Sequence, residues 1–374
     1  MKKLYDANLH RIFESNVFSG KKINLSRRKL IVSYLLGLIM SRSVHFCEVA
    51  NHMNEEVDAA SNERRIERFF KDFELNFVDF AKLLMSFFPC KTYELCIDRT
   101  NWQFGNQDVN VLCLTLHYQG LGIPILFELL DKKGNSNQQE RIDLLGKFIE
   151  IFGKEGINTI IGDREFIGDI WWKYLIDNKI NFHIRIPKSH YIGIGEEILK
   201  AEELLGKYGE GFHKNIMIAG FELHFACKFY KGKKKEEDPL LILTNDAIRE
   251  PFQTYRKRWS IETFFQSIKK RGFDLEKTHL KCLKKLKKLF LMVSLAFVIC
   301  LTIGNLRHDV QKKIPTKKHG YKANSFARNG LNIIRQAINK RSIDFSLFTE
   351  FTDDLYLVFT AFTALKLIPR KNVG

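Results

Sequence analysis

Residues 92–130 read TYELCIDRTNWQFGNQDVNVLCLTLHYQGLGIPILFELL. Three runs rich in β-branched and apolar residues, TYELCID, VNVLCLTLHY and IPILFELL, are separated by the turn signals FGNQD and QGLG. They predict three successive strands, the first ending at Asp98. The period then lengthens. NQQERIDLLGKFIEIFG (137–153) has apolar residues at helical spacing, and NTIIGD (158–163) is a strand ending at Asp163. IGDIWWKYLIDNK (167–179) is a helix and NFHIRIP (181–187) a strand. Three strands, then helix, strand, helix, strand, describe a mixed sheet with helices packed over it, the mixed α/β class.

The pattern changes over 188–240. KNIMIAGFELHFACKFYKGKKKEEDP (214–239) reads as a hairpin turning at Ala219–Gly220, followed by a charged loop. LLILTN (240–245) returns to a buried strand, and a helix over 254–270 follows. The economical reading is a core of 91–187 and 241–310 with a β-rich insertion at 188–240. Residues 1–90 are helical: LSRRKLIVSYLLGLIMSRS (25–43) with Ser26 as N-cap, then SVHFCEVANHM and SNERRIERFFKDF. Arg27, Arg28, Arg64, Arg65 and Arg68 suit a helix-turn-helix-like DNA binder or, equally, the solvated face of a helical cap. Residues 311–374 form a basic, partly helical region containing SFARNGLNIIRQAIN.

The chain carries a formal charge of +17 over 374 residues. That surplus points to a polyanion, with nucleic acid first and a membrane surface as rival. Seven scattered cysteines without CxxC spacing favour reduced thiols in a cytoplasm. The N-terminus MKKLYDANLHRIFESNV has charges where a signal peptide needs an apolar core. LFLMVSLAFVICLTIGNL (289–306) approaches the length of a bilayer span, but Ser294, Thr302, Gly304 and Asn305 favour a buried core helix. GIGEE (193–197) lacks a full dinucleotide fingerprint and there is no P-loop, so no nucleotide cofactor is expected. His183 and His190 lack ligand spacing and read as structural, and Trp102 and Trp259 read as core packing.

Asp98 and Asp163 each follow an apolar strand. Strand ends on one sheet edge would bring the two acids together, and two close carboxylates repel unless a cation lies between them. Hard oxygen donors fit Mg²⁺ or Mn²⁺. TYRKRWSIETFFQSIKK (254–270) adds one carboxylate, Glu262, in a strongly basic stretch. At ~100° per residue, Tyr255, Arg258, Glu262 and Lys269 fall within about 60° of arc. One reading is a metal ligand flanked by phosphate-binding cations; the other is a solvated basic face with one Arg258–Glu262 pair. Two ions held by three carboxylates would promote in-line phosphoryl transfer without a protein nucleophile.

These blocks resemble the IS4 family of DDE transposases, the Tn5-like group. IDRTNW (97–102) is similar to its first aspartate block and GDREFIG (162–168) to its second. Tyr255, Arg258, Glu262 and Lys269 match its Y-(2)-R-(3)-E-(6)-K signature without a gap, and KKGNSN and HGYKANSFARNGL match more weakly. The resemblance spans roughly 90–330 and implies a ribonuclease-H-like core interrupted by the β-strand insertion. It implies Asp98, Asp163 and Glu262 as catalytic metal ligands for two Mg²⁺ ions, with Mn²⁺ as substitute. Tyr255, Arg258 and Lys269, with Lys270 beside them, would contact the DNA end. The partners implied are double-stranded DNA, as terminal inverted repeats and target, and a second copy of the chain. The setting implied is a bacterial cytoplasm, at the nucleoid. If related enzymes' hairpin route applied, Tyr191, Phe221, Phe225, Phe229 and Tyr230 would be the aromatics available to stack a flipped base. A nuclease of the same fold that does not join strands, and a DNA-binding repressor derived from a transposase, are the alternatives.

Overall fold

The computed structural model describes residues 25–53, 57–86, 88, 90–105, 107–194, 196–229, 239–310, 313–318, 320 and 322–339. The expectations for the N-terminal segment before residue 25, the loop 231–238, Tyr230 and the tail beyond 339 lie outside the described residues. The chain divides into two compact units, one of 1–89, 103–107 and 265–374, the other of 90–102 and 108–264.

The second unit is built on a ten-stranded sheet. Its strands are β1 (Tyr93–Phe104), β2 (Gln107–Tyr118), β3 (Leu121–Leu130), β4 (Ile157–Gly162), β5 (Phe182–Arg185), β6 (Tyr191–Ile194), β7 (Glu197–Lys200), β8 (Gly211–Ile218), β9 (Phe221–Lys228) and β10 (Leu240–Thr244), in the order β3-β2-β1-β4-β5-β10-β9-β8-β6-β7. β1, β4 and β5 run parallel, and β2–β3 are antiparallel. This mixed α/β core, strand order 3-2-1-4-5, is the ribonuclease-H-like arrangement. The tight turns are where the sequence put them. Gln119 and Gly120 (φ 51° and 84°) join β2 to β3, and Ala219 and Gly220 (φ 51° and 80°) join β8 to β9. Positive φ at both central residues matches the right-handed twist of the flanking strands.

The insertion does not form a separate sheet. β10 pairs antiparallel with both β5 and β9, so β9, β8, β6 and β7 extend the core sheet outward. The β6–β7 hairpin and a short helix over Ala201–Tyr208 are additions to what the periodicity predicted. Gln138–Phe152 is helical, closed at its start by a reciprocal Asn137–Glu140 capping box and at its end by Gly153 in positive φ. It packs on β3 and on the helix Asp169–Asp177, whose Trp171 and Trp172 are buried.

Two local expectations are corrected. Asp98 does not end a strand: β1 continues to Phe104, because past Ile97 it leaves β4 and runs on beside β2 to their shared turn. Nor is 254–270 one regular helix. Pro251–Arg256 and Trp259–Gln266 are α-helical, and Ser267–Arg271 is a π-helix. Between the first two, Lys257, Arg258, Ser260 and Ile261 donate three residues back, to Thr254, Tyr255, Lys257 and Arg258. The tightened turn and the widened π turn break the uniform ~100° step.

The first unit is helical: Leu25–Ser41, Phe46–Ala50, Ala59–Asp72, Phe77–Ser86, Leu283–Val310 and Phe326–Asn339. Ser26 lies inside the first helix and does not cap it. Asp58 caps the third, accepting from the Ser61 N–H at 2.8 Å. The apolar run 289–306 belongs to the long helix Leu283–Val310. By length and composition it could cross a membrane, yet it is largely buried inside the fold. Its neighbours include the helices Leu25–Ser41 and Phe326–Asn339. Gly304 and Gly330 mark the crossing with Phe326–Asn339. A methyl on Gly304 would overlap the Phe326 carbonyl, and one on Gly330 the Cys300 carbonyl.

Gly122 of β3 has the same role in the second unit: a methyl there would overlap the Ser260 carbonyl. Gly122→Ala is therefore expected to push the helix Trp259–Gln266 off the sheet. A destabilisation of about 1–3 kcal/mol in denaturant titrations is expected. An unchanged midpoint would show that this contact does not seat the helix.

Candidate active site

Strand alternation puts Glu94, Cys96 and Asp98 on one face of β1. That face meets the tightened turn at 257–260. Glu94 pairs with Lys257 Nζ at 2.5 Å, and Cys96 Sγ lies 3.7 Å from the Lys257 carbonyl and 3.9 Å from Ser260 Oγ. Asp98 Oδ2 accepts from Arg258 Nη1 at 3.2 Å. Burial pushes the Cys96 thiol up to about 12, so it packs as a neutral group. Three contacts at a spacing of two residues thus lock strand to turn.

The last β1–β4 pair is Ile97 with Gly162, so Asp98 and Asp163 follow it directly on neighbouring chains. Paired strands lie about 4.8 Å apart, which puts both acids at one point of the sheet. Arg258 then reaches the third acid: its Nη2 donates to Glu262 Oε1 at 2.5 Å. The Arg258 and Asp98 side chains are each only 12% exposed. Burial opposes the Arg258 charge, but Tyr255, Glu262 and Asp98 more than offset it and hold the guanidinium above its usual pKa. The Asp98 carboxyl is pushed up to about 7, by burial first and then by Asp163, with Arg258 opposing and Glu262 adding. Backbone N–H groups anchor both aspartates: Arg99 donates to Asp98 Oδ1 at 2.7 Å and Glu165 to Asp163 Oδ1 at 2.9 Å.

The structure thus brings together Asp98, Asp163, Arg258 and Glu262, with buried Tyr255 beside them, its ring 5.8 Å from the Arg258 guanidinium. Lys269 and Lys270 belong to the other unit. There Lys269 pairs with Glu276 at 2.9 Å and Lys270 is exposed. Trp102 is buried as expected. Trp259 is not: it is 60% exposed, its ring 5.9 Å from the Arg258 guanidinium. It opens the helix Trp259–Gln266 just past the turn, on a side the regular helix had assigned to the core. His183 is buried, with Nδ1 3.1 Å from Thr159 Oγ1.

A second set of contacts escaped the sequence reading. Arg99, the neighbour of Asp98 and so on the opposite face of β1, binds Glu165 through Nε at 3.2 and 3.0 Å. Its Nη1 donates to Asn110 Oδ1 at 3.0 Å. Glu165 accepts from the Ser136 N–H and hydroxyl at 2.8 Å each, and Arg141 Nε donates to that hydroxyl at 3.0 Å. The network ties β1, the loop after β4 and the start of helix Gln138–Phe152 behind the two aspartates. Its one sequence signal was Arg141, a lone charge on the apolar side of that helix.

A family model described as Transposase DDE domain matches residues 89–299. The chain belongs to the transposase DDE domain family. It is therefore a DDE transposase, an enzyme, and the family works with divalent metal ions. Among solved structures it is similar to a cryo-EM structure of the piggyBac transposase synaptic complex with hairpin DNA. The identity is 12%, with 98% of this chain and 82% of that chain covered, at a TM-score of 0.44. No curated protein matches the chain.

Among the described residues no three His, Cys, Asp or Glu side chains form a ready metal cage. Arg258 stands between Asp98 and Glu262 instead. The donor set still fits a divalent cation: three carboxylates, without His or Cys, are hard oxygen ligands. Burial first, and Asp163 beside it, raise the Asp98 carboxyl, and a bound cation would offset both.

That shift fixes a pH dependence. In the unfolded chain Asp98 ionises near 3.8, in the folded chain near 7. Between these values the folded state binds the extra proton, so this contribution to stability falls as pH rises. Asp98→Asn removes the ionisation. In EDTA, the variant is expected to match the parent near pH 4 and exceed it at pH 8, by on the order of 1–3 kcal/mol. Thermal melts that place the variant below the parent at pH 8 would contradict the charge crowding.

Proposed function

We propose that this chain is the transposase of an insertion sequence of the IS4, Tn5-like group. On this reading it cuts and joins the element's ends by two-metal-ion phosphoryl transfer. The observation that carries the proposal is the bridge Asp98–Arg258–Glu262, two acids from distant parts of the chain sharing one largely buried cation, with Asp163 adding its charge beside Asp98. Asp98, Asp163 and Glu262 would hold two Mg²⁺ ions, or Mn²⁺. Bound there, such ions would lower the pKa of an attacking water or 3′-hydroxyl and stabilise the departing 3′-oxygen.

The chain's own residues supply the rest. Arg258 keeps the acids gathered before they take cations. Released from Asp98 and Glu262, its planar fork becomes free for a phosphate. The Tyr255 ring lies beside that fork, and the exposed Trp259, also near it, offers a ring on which a base near the DNA end can stack. Lys269 and Lys270 would neutralise flanking phosphates. The substrates would be double-stranded terminal inverted repeats and target DNA, bound by a homodimer at the nucleoid of a bacterial cytoplasm.

A plasmid carrying the element's ends tests this. Asp98→Ala and Glu262→Ala should each cut strand cleavage on the order of 10³-fold while leaving DNA affinity nearly unchanged. Pre-cut ends supplied with Mg²⁺ should insert into target DNA, which a nuclease of this fold would not do. Cleavage retained in Glu262→Ala would remove the assignment.

A further inference from the structure

The first unit holds a cluster of positive charge that the catalytic reading does not use. Arg42 and Arg328 both donate to one acceptor, the backbone carbonyl of Arg271, at 3.3 and 2.9 Å. That carbonyl ends the π-helix Ser267–Arg271. Arg335 lies two helical turns beyond Arg328 on the same face of Phe326–Asn339, about 10 Å along it. Among the described residues no carboxylate lies within ion-pair distance of any of these arginines. The Nε atoms of Arg42 and Arg335 are buried without a hydrogen-bond partner. A shared carbonyl dipole is a weak counterweight to two guanidinium charges. Burial, Arg42 and Arg335 together pull the Arg328 pKa below its usual range, which reports the crowding of like charge.

The backbone at Arg42 adds an independent sign. Arg42 closes the helix Leu25–Ser41 with its N–H on the Leu38 carbonyl, at a φ of 59°. Glycine or asparagine usually takes this left-handed position, because a Cβ is strained there. An arginine in that place accepts strain and aims a cation at a site where two others already stand.

We propose that Arg42, Arg328 and Arg335 form a phosphodiester-binding site in the first unit, gripping the backbone of DNA. The chemistry is recognition of an oxyanion by planar guanidinium forks, which suits phosphate better than point-like ammonium groups do. The ligand's identity as DNA rests on the transposase reading; the anion chemistry itself rests on the cluster. The site reads no base edge, so its contribution is independent of sequence.

The test uses the full chain, a labelled duplex oligonucleotide of arbitrary sequence, and inorganic phosphate as a small-anion probe. Arg42→Gln and Arg328→Gln should each reduce the slope of log affinity against log salt by about 0.9, one phosphate contact apiece. Arg328→Lys should restore most of it. Without anion, both Gln variants should melt at or above the parent's temperature, because like charges are relieved. Gln variants that melt lower or fail to fold would make the arginines structural and overturn the proposal. So would an unchanged salt slope, including the case where phosphate raises the parent's melting temperature but not the variants', which marks a small-anion site. A parent chain that binds no duplex at any salt would instead sink the reading under Proposed function. Unaltered binding by the arginine variants alone leaves that reading standing.

Discussion

The guanidinium of Arg258 is the constraint on which the site depends. It is the cation between Asp98 and Glu262, and Asp163 adds further negative charge to the same place. A buried ion pair roughly balances its own desolvation, so its net contribution to stability is small. Removing Arg258 itself is another matter, since it strands the acids without compensation, at about 3–5 kcal/mol. Arg258 therefore specifies geometry more than it adds stability. It dictates that a turn 160 residues downstream of Asp98 returns to that strand. The i→i−3 hydrogen bonds at Lys257–Ile261 and the bare surface at Gly122 make room for it to do so.

Two adjacent residues of β1 divide the labour. Asp98 faces the turn and the other acids, while Arg99 faces the Glu165–Ser136–Arg141 network on the reverse side. Glu165 lies two residues after Asp163, and its N–H anchors that carboxylate. The network thus acts on Asp163 through the backbone of the loop that carries it. Support of this kind matters because carboxylates that must repel one another will splay unless their main chains are held.

The strands and most helices were legible because their signals are local. The alternation in VNVLCLTLHY, the capping pair Asn137–Glu140 and the turns at Gly120 and Gly220 each need only a few neighbouring residues. The two aspartates could be singled out because each ends an apolar run beside which a parallel partner could lie. Glu262 could be paired with Arg258 because four residues make one helical turn. What failed is equally physical. Nothing near Asp98 marks where β4 ends, so the continuation of β1 was invisible. The broken helix around Lys257 is imposed by packing on β1 and β3, and it carried Trp259 from its expected burial to the surface. Arg99 and Glu165 are 66 positions apart, and each reads alone as an ordinary surface charge.

Both notable charge clusters share one property: each is unbalanced by the chain itself. In the second unit three carboxylates gather, Arg258 pairs with two of them, and burial together with Asp163 raises the Asp98 carboxyl. In the first, arginines gather around one carbonyl, and buried Nε–H groups go without acceptors. A sequence selected only for stability would relieve either cluster by a single neutral substitution, because like charges in a poorly solvated place cost free energy without return. Retaining both makes physical sense if the compensating charge arrives from outside: cations to the acids, phosphates to the arginines. Phosphates and divalent ions both belong to the chemistry of a polynucleotide, so each imbalance has its counter-charge there.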